Sequence, residues 1–482
     1  MDEFGHKIIS NLTVEGRRLS RVRSTDRFLL RPDTQQHLLK LGLLLLPIET
    51  SIEWRVRYEL EDKHSGQKVC YITTSDLCPL PDIEHEIIDC GSFSVTDLLP
   101  FYDPKVLMSE GVSYNYLDYL FNQKYTYKLG EKETLTVLHD ADAYLKNNLQ
   151  VLIGQLRDIK LDWNDPNTII NISRVLVNII RNGKYDDVED VLNGINLDFQ
   201  NYLSSRYFTL ATSSYMKKPK MVNRVLPYLN HIHNRTEKIA LIVIDGMTYW
   251  QYLVLEKELR EKGIGTTDDM IMAWLPSITK LSRQALFRGN TPMKQYVQSP
   301  AEESKLWTEY WEKRGFPLYD IKYTHGSLMA DDYTCHRQAF VDVDLDHKMH
   351  SSSDNKDLYD LTLNWSKDAA NDIRTLHEHG YQIYITTDHG NVFAHGWRQL
   401  SSEEKTFLYE KESRGSRHLI YDSEKPLLHF LECNRDIKEM LVTRDEWTVW
   451  YAPYCFKSSD EITHGGAYFL ELAIPFVRID KE

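Results

Sequence analysis

The sequence has few of the features that mark secreted or membrane-spanning proteins. Its six cysteines are scattered over 482 residues without a Cys-x-x-Cys pair, which excludes a zinc ribbon and does not indicate a disulfide framework. The most apolar stretch, 38–47, is about ten residues long and contains a lysine, whereas a helix that crosses a bilayer needs about 20. Acidic residues follow the first methionine where a signal peptide carries Lys or Arg, so we expect a cytoplasmic protein.

Positive charge is also scarce. The chain has 57 Lys and Arg against 71 Asp and Glu, a net charge of −14, which argues against binding nucleic acid through overall positive charge but allows a local basic groove. One basic cluster surrounds Pro219 and consists of Lys217, Lys218, Lys220 and Arg224. A solvated linker is the favoured interpretation of this cluster over a phosphate-contacting patch. The acidic excess suits a protein that keeps carboxylates for metal ions.

The chain contains no internal repeat and predicts three regions that differ in their apolar patterning. Residues 1–106 mix short β-rich pieces with a helix and predict a small α/β domain, with strands at 28–30, 52–58 and 68–73 and a helix at 34–45. Residues 107–236 carry apolar side chains at helical spacing, most clearly at 168–180, and predict a helical spacer.

Residues 237–482 predict an α/β layered domain with a mostly parallel central sheet. The continuous apolar run 239–244 is typical of a strand that is buried on both faces of such a sheet. Further strands are expected at 270–274, 338–345, 381–387, 447–451 and 472–479, and helices at 249–262, 279–287 and 357–379. In this architecture reactive side chains are expected at the carboxyl ends of the strands.

Residue types that bind metal ions stand at those predicted strand ends. Asp245 ends the first strand and precedes a glycine, although a lone Asp at such a junction is usually a helix N-cap. Asp388 and His389 end a second strand, and a carboxylate beside an imidazole is a more specific signal. His464 adds another imidazole in a glycine-rich loop.

The acidic stretch 340–350 offers two alternative metal ligands. If a helix begins near Asp346, this carboxylate and His350 are four residues apart and can share one ion. His347 is the competing ligand, and spacing alone does not decide between the two histidines. Asp346 with His350 is the preferred pair.

A nucleophile is predicted where a helix begins after Pro276. A hydroxyl at a helix N-terminus lies at the positive end of the helix dipole, among N–H groups that bind anions. Thr279 is the preferred hydroxyl and Ser277 is its competitor, while a simple capping role is the alternative for either. Together with the predicted ligands, Thr279 suggests two cations about 3.5–4 Å apart that clamp the oxygens of an in-line displacement.

These segments together resemble a PglZ domain, a branch of the alkaline phosphatase superfamily. The resemblance is carried by VIDGM at 243–247, LPSIT at 275–279, SRQALF at 282–287, TTDHG at 386–390, HGG at 464–466 and IPFVR at 474–478. The N-terminal half is more loosely similar, through 54–59 and 98–104, to segments that precede this domain in the PglZ proteins of BREX phage-defence systems.

The resemblance implies a metal-dependent phosphoesterase with Thr279 as nucleophile and two divalent ions, usually Zn²⁺, with Mn²⁺ or Mg²⁺ as alternatives. It implies one ion held by Asp346, His350 and His464, and another held by Asp245, Asp388 and His389. Arg283 is expected to steady the phosphoryl group or to be structural, and Arg417 resembles a basic substrate-binding residue. His395 is extra to the pattern and is interpreted as a plain loop histidine.

Two functions follow as hypotheses from this resemblance. The first is a phosphodiesterase that acts on nucleotides or nucleic acid, with sulfatase chemistry disfavoured because the Cys/Ser-x-Pro-x-Arg frame is missing. The second is a non-catalytic scaffold with a structural metal site. Either would work with other BREX components, namely a methyltransferase, an ATPase or a small adaptor protein.

Overall fold

A computed structural model describes residues 2–24, 26–73, 76–109, 112–123, 125–212, 218–350, 352, 354–408, 415–444 and 446–480. The chain forms two compact units, unit 1 (Met1–Asn148) and unit 2 (Leu149–Glu482). The boundary between them falls within the segment 107–236, for which the sequence predicts a helical spacer. No helix among these described residues is both long and apolar enough to cross a membrane.

Unit 1 is built around a parallel four-stranded sheet with the strand order β2-β3-β1-β4. Its strands are β1 Leu19–Ser24, β2 Leu43–Pro47, β3 Lys68–Thr73 and β4 Ile88–Phe93, and its helices are α1 Glu3–Leu12, α2 Pro32–Lys40, α3 Ser51–Arg57, α4 Val95–Leu98, α5 Pro104–Leu107, α6 Tyr114–Phe121 and α7 Glu131–Asn147. Strand β3 has five consecutive buried residues, because it is an interior strand that is covered on both faces. Unit 1 is thus a small α/β unit, and it extends to Asn148 instead of ending at the expected boundary near residue 106.

Three local predictions in unit 1 differ from the structure. The segment Phe28–Leu30 is a 3₁₀ turn rather than a strand. The alternating segment 52–58 forms helix α3 and the turn after it, capped by the Thr50 hydroxyl, which accepts from the backbone N–H of Glu53. The helix predicted at 34–45 ends at Lys40, and its last residues belong to strand β2.

Unit 2 contains the predicted α/β domain and the helices that lead into it. Its helices are α8 Leu149–Asp158, α9 Asn167–Arg181, α10 Glu189–Tyr202, α11 Phe208–Thr212, α12 Val225–Ile232, α13 Tyr249–Glu261, α14 Thr279–Arg288, α15 Pro300–Glu312, α16 Asp344–Met349, α17 Asn355–Glu378, α18 Ser402–Leu408, α19 Glu424–Cys433 and α20 Phe469–Leu472. Its strands are β5 Ile239–Ile244, β6 Thr266–Met272, β7 Ile321–His325, β8 Arg337–Asp342, β9 Gln382–Thr386, β10 Val392–Gly396, β11 His418–Ile420, β12 Leu441–Arg444, β13 Trp447–Trp450, β14 Tyr454–Cys455, β15 Glu461–Thr463 and β16 Ala473–Ile479.

The central sheet of unit 2 has six strands in the order β6-β16-β9-β5-β8-β7. Strand β5 pairs in parallel with β8 and β9, while β16 is antiparallel to both of its neighbours. All six residues of β5 are buried, and helix α13 packs against α9 and α17. The mostly parallel α/β architecture predicted from the continuous apolar runs is confirmed.

One predicted strand of the central sheet belongs elsewhere. Strand β13 at Trp447–Trp450 pairs with β11 and β12 in a separate three-stranded antiparallel sheet. The other three-stranded sheet of unit 2 joins β10, β14 and β15. His464 follows directly after β15. The predicted strand 338–345 ends at Asp342, because helix α16 begins at Asp344.

Candidate active site

The first metal-ligand candidate lies where β5 ends. Asp245 is 6% exposed, and Gly246 follows it with a φ of +69°, a conformation that glycine adopts readily. An ideal Cβ on Gly246 would lie 2.9 Å from Asp346 Oδ1, so the backbone approaches a second carboxylate closely. A glycine is therefore required here for the turn and for the close approach of the backbone to Asp346.

The second and third candidates follow the neighbouring strand β9. Asp388 and His389 are fully buried, and Asp388 Oδ1 accepts from the backbone N–H of Gly246 at 3.2 Å. His389 Nδ1 lies 3.1 Å from the carbonyl oxygen of Gly390. Because a carbonyl only accepts, Nδ1 carries the proton and Nε2 offers its lone pair.

Asp245, Asp388 and His389 form one compact donor group. Their ligand atoms lie within 4.8 Å of one another, and His389 Nε2 is 3.6 Å from Asp388 Oδ2. Asp245 Oδ1 has no hydrogen-bond partner among the described residues, although it is buried. An unpaired buried carboxylate oxygen beside an imidazole nitrogen that carries a lone pair matches the donor set of a divalent cation.

The surroundings shift the pKa values of the two carboxylates in this group in opposite directions. Burial raises the pKa of Asp245 well above its ordinary value, in spite of the nearby Arg283. Burial also opposes ionisation of Asp388, but His389, Arg283 and the N–H of Gly246 outweigh it and hold the pKa of Asp388 below the ordinary value. Asp388 is thus the carboxylate of the group that keeps its charge.

Asp346, His350 and His464 provide further ligand atoms. Asp346 Oδ2 lies 3.4 Å from His350 Nε2, while Asp346 Oδ1 is buried without a hydrogen-bond partner in the described parts of the chain. Burial favours the neutral acid, but the hydrogen bond from His350 and the nearby His464 lower the pKa of Asp346 to about 2.

His464 joins this second set to the first. Its ring stacks on His389 with centroids 4.0 Å apart, and its Nδ1 lies 3.0 Å from the carbonyl oxygen of Ser277, which leaves Nε2 to act as a ligand. Burial, followed by His389, lowers the pKa of His464 well below its ordinary value, so the ring is neutral and able to bind a cation. The structure therefore brings all six expected ligands into one region.

The two competing hydroxyls have different surroundings. Thr279 is the first residue of α14, and its Oγ1 lies 3.1 Å from His389 Nε2. Ser277 is fully buried, and its Oγ donates to the carbonyl oxygen of Gly466 at 2.9 Å and accepts from the N–H of Gly465 at 3.0 Å. Ser277 thus holds the glycine loop after His464, whereas Thr279 faces the ligands.

A cavity of about 570 Å³ opens onto this group. The residues that line it include Asp245, Thr279, Arg283, Asp346, His347 and His464. His347 is exposed and lines this cavity, whereas His350 makes the contact with Asp346. The contact distance favours His350 as the ligand that accompanies Asp346.

Arg283 is buried among carboxylates. Its Nε lies 3.0 Å from Asp388 Oδ2, its Nη2 contacts Asp245 Oδ2, and its Nη1 lies 3.4 Å from Glu303 Oε1. These contacts favour a role in orienting Asp245 and Asp388 over a direct role at the phosphoryl group. Sequence reasoning missed Glu303, because it stands in the first turn of α15, where acidic residues are common for reasons of helix dipole alone.

Arg417 does not belong to this cavity, which corrects its assignment as a substrate-binding residue. It is fully buried, and its Nε and Nη2 donate to Glu471 at 3.0 and 3.1 Å. The remaining N–H groups face the carbonyl oxygens of Trp450, Ala452 and Tyr454. Arg417 therefore stabilises the packing around the glycine loop.

The remaining predicted residues lie apart from the site. His395 is held between Glu189 Oε1, at 2.8 Å, and Asp460 Oδ2, at 3.4 Å, as a structural residue. Within the basic cluster, Lys218 pairs with Asp269 at 2.8 Å, and Lys217 lies outside the described residues.

The fold and the donor set together have the character of an alkaline-phosphatase-like domain. The family model of the BREX system PglZ alkaline phosphatase-like domain matches residues 225–479. Because this match spans more than half of the chain, the protein belongs to the PglZ family. This assignment supports a phosphoesterase as the broad class of activity.

Comparison with solved structures gives distant similarities, and each alignment covers 50% of this chain. Murine ectonucleotide pyrophosphatase / phosphodiesterase 5 matches at 11% identity, a TM-score of 0.35 and 88% of its own chain. The human protein of the same name matches at 12% identity, with a TM-score of 0.34 and 87% of its own chain covered. Phosphonoacetate hydrolase from Sinorhizobium meliloti 1021 in complex with phosphonoacetate matches at 12% identity, with a TM-score of 0.32 and 89% of its own chain covered. No curated protein sequence matches the chain.

Proposed function

We propose that the protein is a metal-dependent phosphodiesterase with Thr279 as its nucleophile. The observation that carries the proposal is the placement of Thr279 Oγ1, 3.1 Å from His389 Nε2 and on the lining of the cavity that Asp245 and Asp346 also line. Because the Thr279 hydroxyl lies among side chains that bind metal ions, a role as nucleophile in covalent phosphoryl transfer suits it better than a role as a helix cap.

Two divalent cations are proposed for the site, and the one compact donor group found among the described residues supports the first of them. Asp245, Asp388 and His389 would hold one, and the unpaired Asp245 Oδ1 is the atom that most requires a cation. Asp346, His350 and His464 would hold the other, with Asp346 Oδ1 in the same unpaired state. Bound there, the cations, Zn²⁺ foremost, supply positive charge for the oxygens of a phosphate ester.

The chain's own residues then define the chemistry. Thr279 Oγ1 forms the bond to phosphorus as the bond to the departing alcohol breaks, and the hydroxyl proton ends on that alcohol. Water subsequently hydrolyses the phosphothreonine ester and restores the hydroxyl. Helix α14 presents its positive end to the phosphoryl group, because Thr279 is its first residue.

Hydrolysis of bis-p-nitrophenyl phosphate with added zinc or manganese tests this proposal. Thr279→Ala and Asp388→Ala are expected to lose several orders of magnitude in kcat, since the covalent step depends on the first residue and the ligand group on the second. Thr168→Ala is the matched control, because Thr168 is a buried threonine of unit 2 whose hydroxyl donates to the carbonyl oxygen of Asp162 at 2.7 Å. Rates in the two site variants equal to that of the parent would defeat the proposal.

We further propose that the enzyme acts in the cytoplasm on nucleotides or nucleic acid as part of a BREX-type defence system, with a methyltransferase, an ATPase or a small adaptor protein as partners. Membership of the PglZ family supports this setting. Pull-down with the parent and with Asp388→Ala separates it from the scaffold hypothesis. Partner binding that is retained in a parent with no detectable turnover would favour the scaffold.

A further inference from the structure

Glu303 is a buried acid that the proposed chemistry does not use. It lies in helix α15, is 0% exposed and lines the same cavity as Thr279. Its carboxylate accepts from three donors, namely Arg283 Nη1 at 3.4 Å, the Gln298 amide N–H and the Tyr323 hydroxyl. A buried carboxylate that accepts from three donors matches the ionised form.

Glu303 completes a set of acids around the guanidinium of Arg283. Asp245, Asp388 and Glu303 each contact a different nitrogen of this group. Arg283 is 3% exposed, so its charge is fixed in place and poorly screened by water. Of the residues that line the cavity in the described part of the chain, Arg283 is the single arginine.

This arrangement bears on which phosphate ester fits the cavity. A phosphomonoester carries close to one more negative charge than a phosphodiester near neutral pH, since its second pKa is about 6. A free guanidinium would favour the additional charge, as bidentate arginine–phosphate contacts do elsewhere. Here Glu303 contacts Nη1 of that guanidinium and adds its own negative charge to the cavity wall.

We propose that Glu303 is a specificity-determining residue that favours the monoanionic diester over the dianionic monoester. This inference rests on the proposed phosphoesterase function and names the property of the site that selects its substrate. Glu303 acts in two ways: it repels the additional charge of a monoester, and it keeps Arg283 engaged with carboxylates. Gln298 and Tyr323 hold the Glu303 carboxylate in position.

The test compares kcat/KM for p-nitrophenyl phosphate and bis-p-nitrophenyl phosphate at pH 8 in zinc-loaded protein. Glu303→Gln is expected to raise the monoester-to-diester ratio about tenfold, the order of effect of one unit charge several ångströms away in a partly polar interior. Glu303→Asp keeps the charge and should keep the parent ratio. Titration calorimetry with inorganic phosphate and dimethyl phosphate gives a readout without turnover, in which only inorganic phosphate should bind more tightly to Glu303→Gln.

Asp62→Asn is the matched control. Asp62 is a carboxylate of unit 1 that is 3% exposed, accepts from the Tyr71 hydroxyl at 2.7 Å and lies 3.7 Å from Arg57 Nε, which repeats the pattern of Glu303. This variant should leave the monoester-to-diester ratio and the affinity for inorganic phosphate unchanged. A parent-like ratio and parent-like phosphate binding in Glu303→Gln would overturn the inference.

Two outcomes separate this inference from the function on which it rests. A parent protein that hydrolyses neither ester refutes the proposed function, and calorimetry then decides the charge preference. If Glu303→Gln does not fold, Glu303→Leu removes the same charge with a side chain of similar size and leaves Arg283 paired with Asp245 and Asp388. A tenfold rise in the monoester-to-diester ratio of this variant supports the inference, and a ratio within about threefold of the parent would overturn it.

Discussion

His418 is expected to make unit 2 sensitive to acid. It lies in β11 and is 1% exposed, and neither ring nitrogen has a hydrogen-bond partner among the described residues. An ideal Cβ on Gly465 would lie 2.6 Å from His418 Nδ1, so the ring is tightly packed. Burial lowers its pKa from 6.5 to about 4, because the charged imidazolium would lose its hydration without gaining a partner.

The sign and size of the effect follow from linkage between protonation and folding. The folded-state pKa is below the unfolded one, so the unfolded chain binds the proton first as pH falls. The stability contributed by the neutral ring is therefore complete above pH 6.5 and is lost between pH 6.5 and about 4. A shift of this size corresponds to about 3 kcal/mol in full and to about 2 kcal/mol at pH 5.

The assay measures the free energy of unfolding in urea at pH 7.5 and pH 5 for the parent and for His418→Met, whose flexible side chain adapts to tight packing. Tryptophan fluorescence follows unit 2, since every tryptophan except Trp54 lies in it. The parent should lose about 2 kcal/mol more than the variant between the two pH values. His85→Gln, at a side chain that is 70% exposed, should behave as the parent. An equal loss in parent and His418→Met would refute the reasoning.

Three further predictions address the core and the ligands. Leu241→Ala in β5 should lower the free energy of unfolding by about 3 kcal/mol in urea titration, because the residue is 0% exposed in the central strand. Gly246→Ala should weaken zinc binding about tenfold in chelator competition, because it strains a φ of +69° and crowds Asp346. His350→Asn should lower the zinc content by about one ion per chain in elemental analysis, whereas His347→Asn should leave it unchanged; the reverse result would make His347 the ligand.

The parts of the fold that the sequence predicts well are those where a single physical pattern dominates. Strand β5 is a continuous apolar run because it is buried on both faces, and β9 lies beside it for the same reason. Once these strands are parallel neighbours, Asp245 and Asp388 must come close together at their carboxyl ends. The meeting of ligands that are far apart in sequence is thus a consequence of strand pairing.

The failed strand at 52–58 has a physical cause in its spacing. The segment alternates apolar and charged residues, which predicts a half-buried strand. In helix α3 and the turn that continues it, Trp54 and Tyr58 are four apart and both are buried, whereas Ile52 is 72% and Val56 52% exposed. The alternation that predicts a strand is therefore also compatible with helical spacing, and burial of Trp54 and Tyr58 favours the helix.

The burial of Glu303 and of Arg417 could not be predicted from the sequence for a different reason. Each is a charged residue of a kind that is normally exposed, and its burial depends on a partner distant in the chain. Arg283 is the partner of the first and Glu471 the partner of the second. Neither pair has the three- or four-residue spacing of an ion pair within one helix, so the charges meet only when the chain folds.

The contrast between Asp245 and Asp388 indicates how the site would take up a cation. Both carboxylates contact Arg283, yet the pKa of Asp245 is raised and that of Asp388 is lowered. Asp388 has the additional N–H of Gly246 and the imidazole of His389, whereas one oxygen of Asp245 is unpaired within the described chain. A proton therefore competes with a cation mainly at Asp245, and a cation that displaces it supplies the partner which that oxygen lacks. We therefore expect the affinity of the proposed site for a cation to fall as the pH falls through the raised pKa of Asp245.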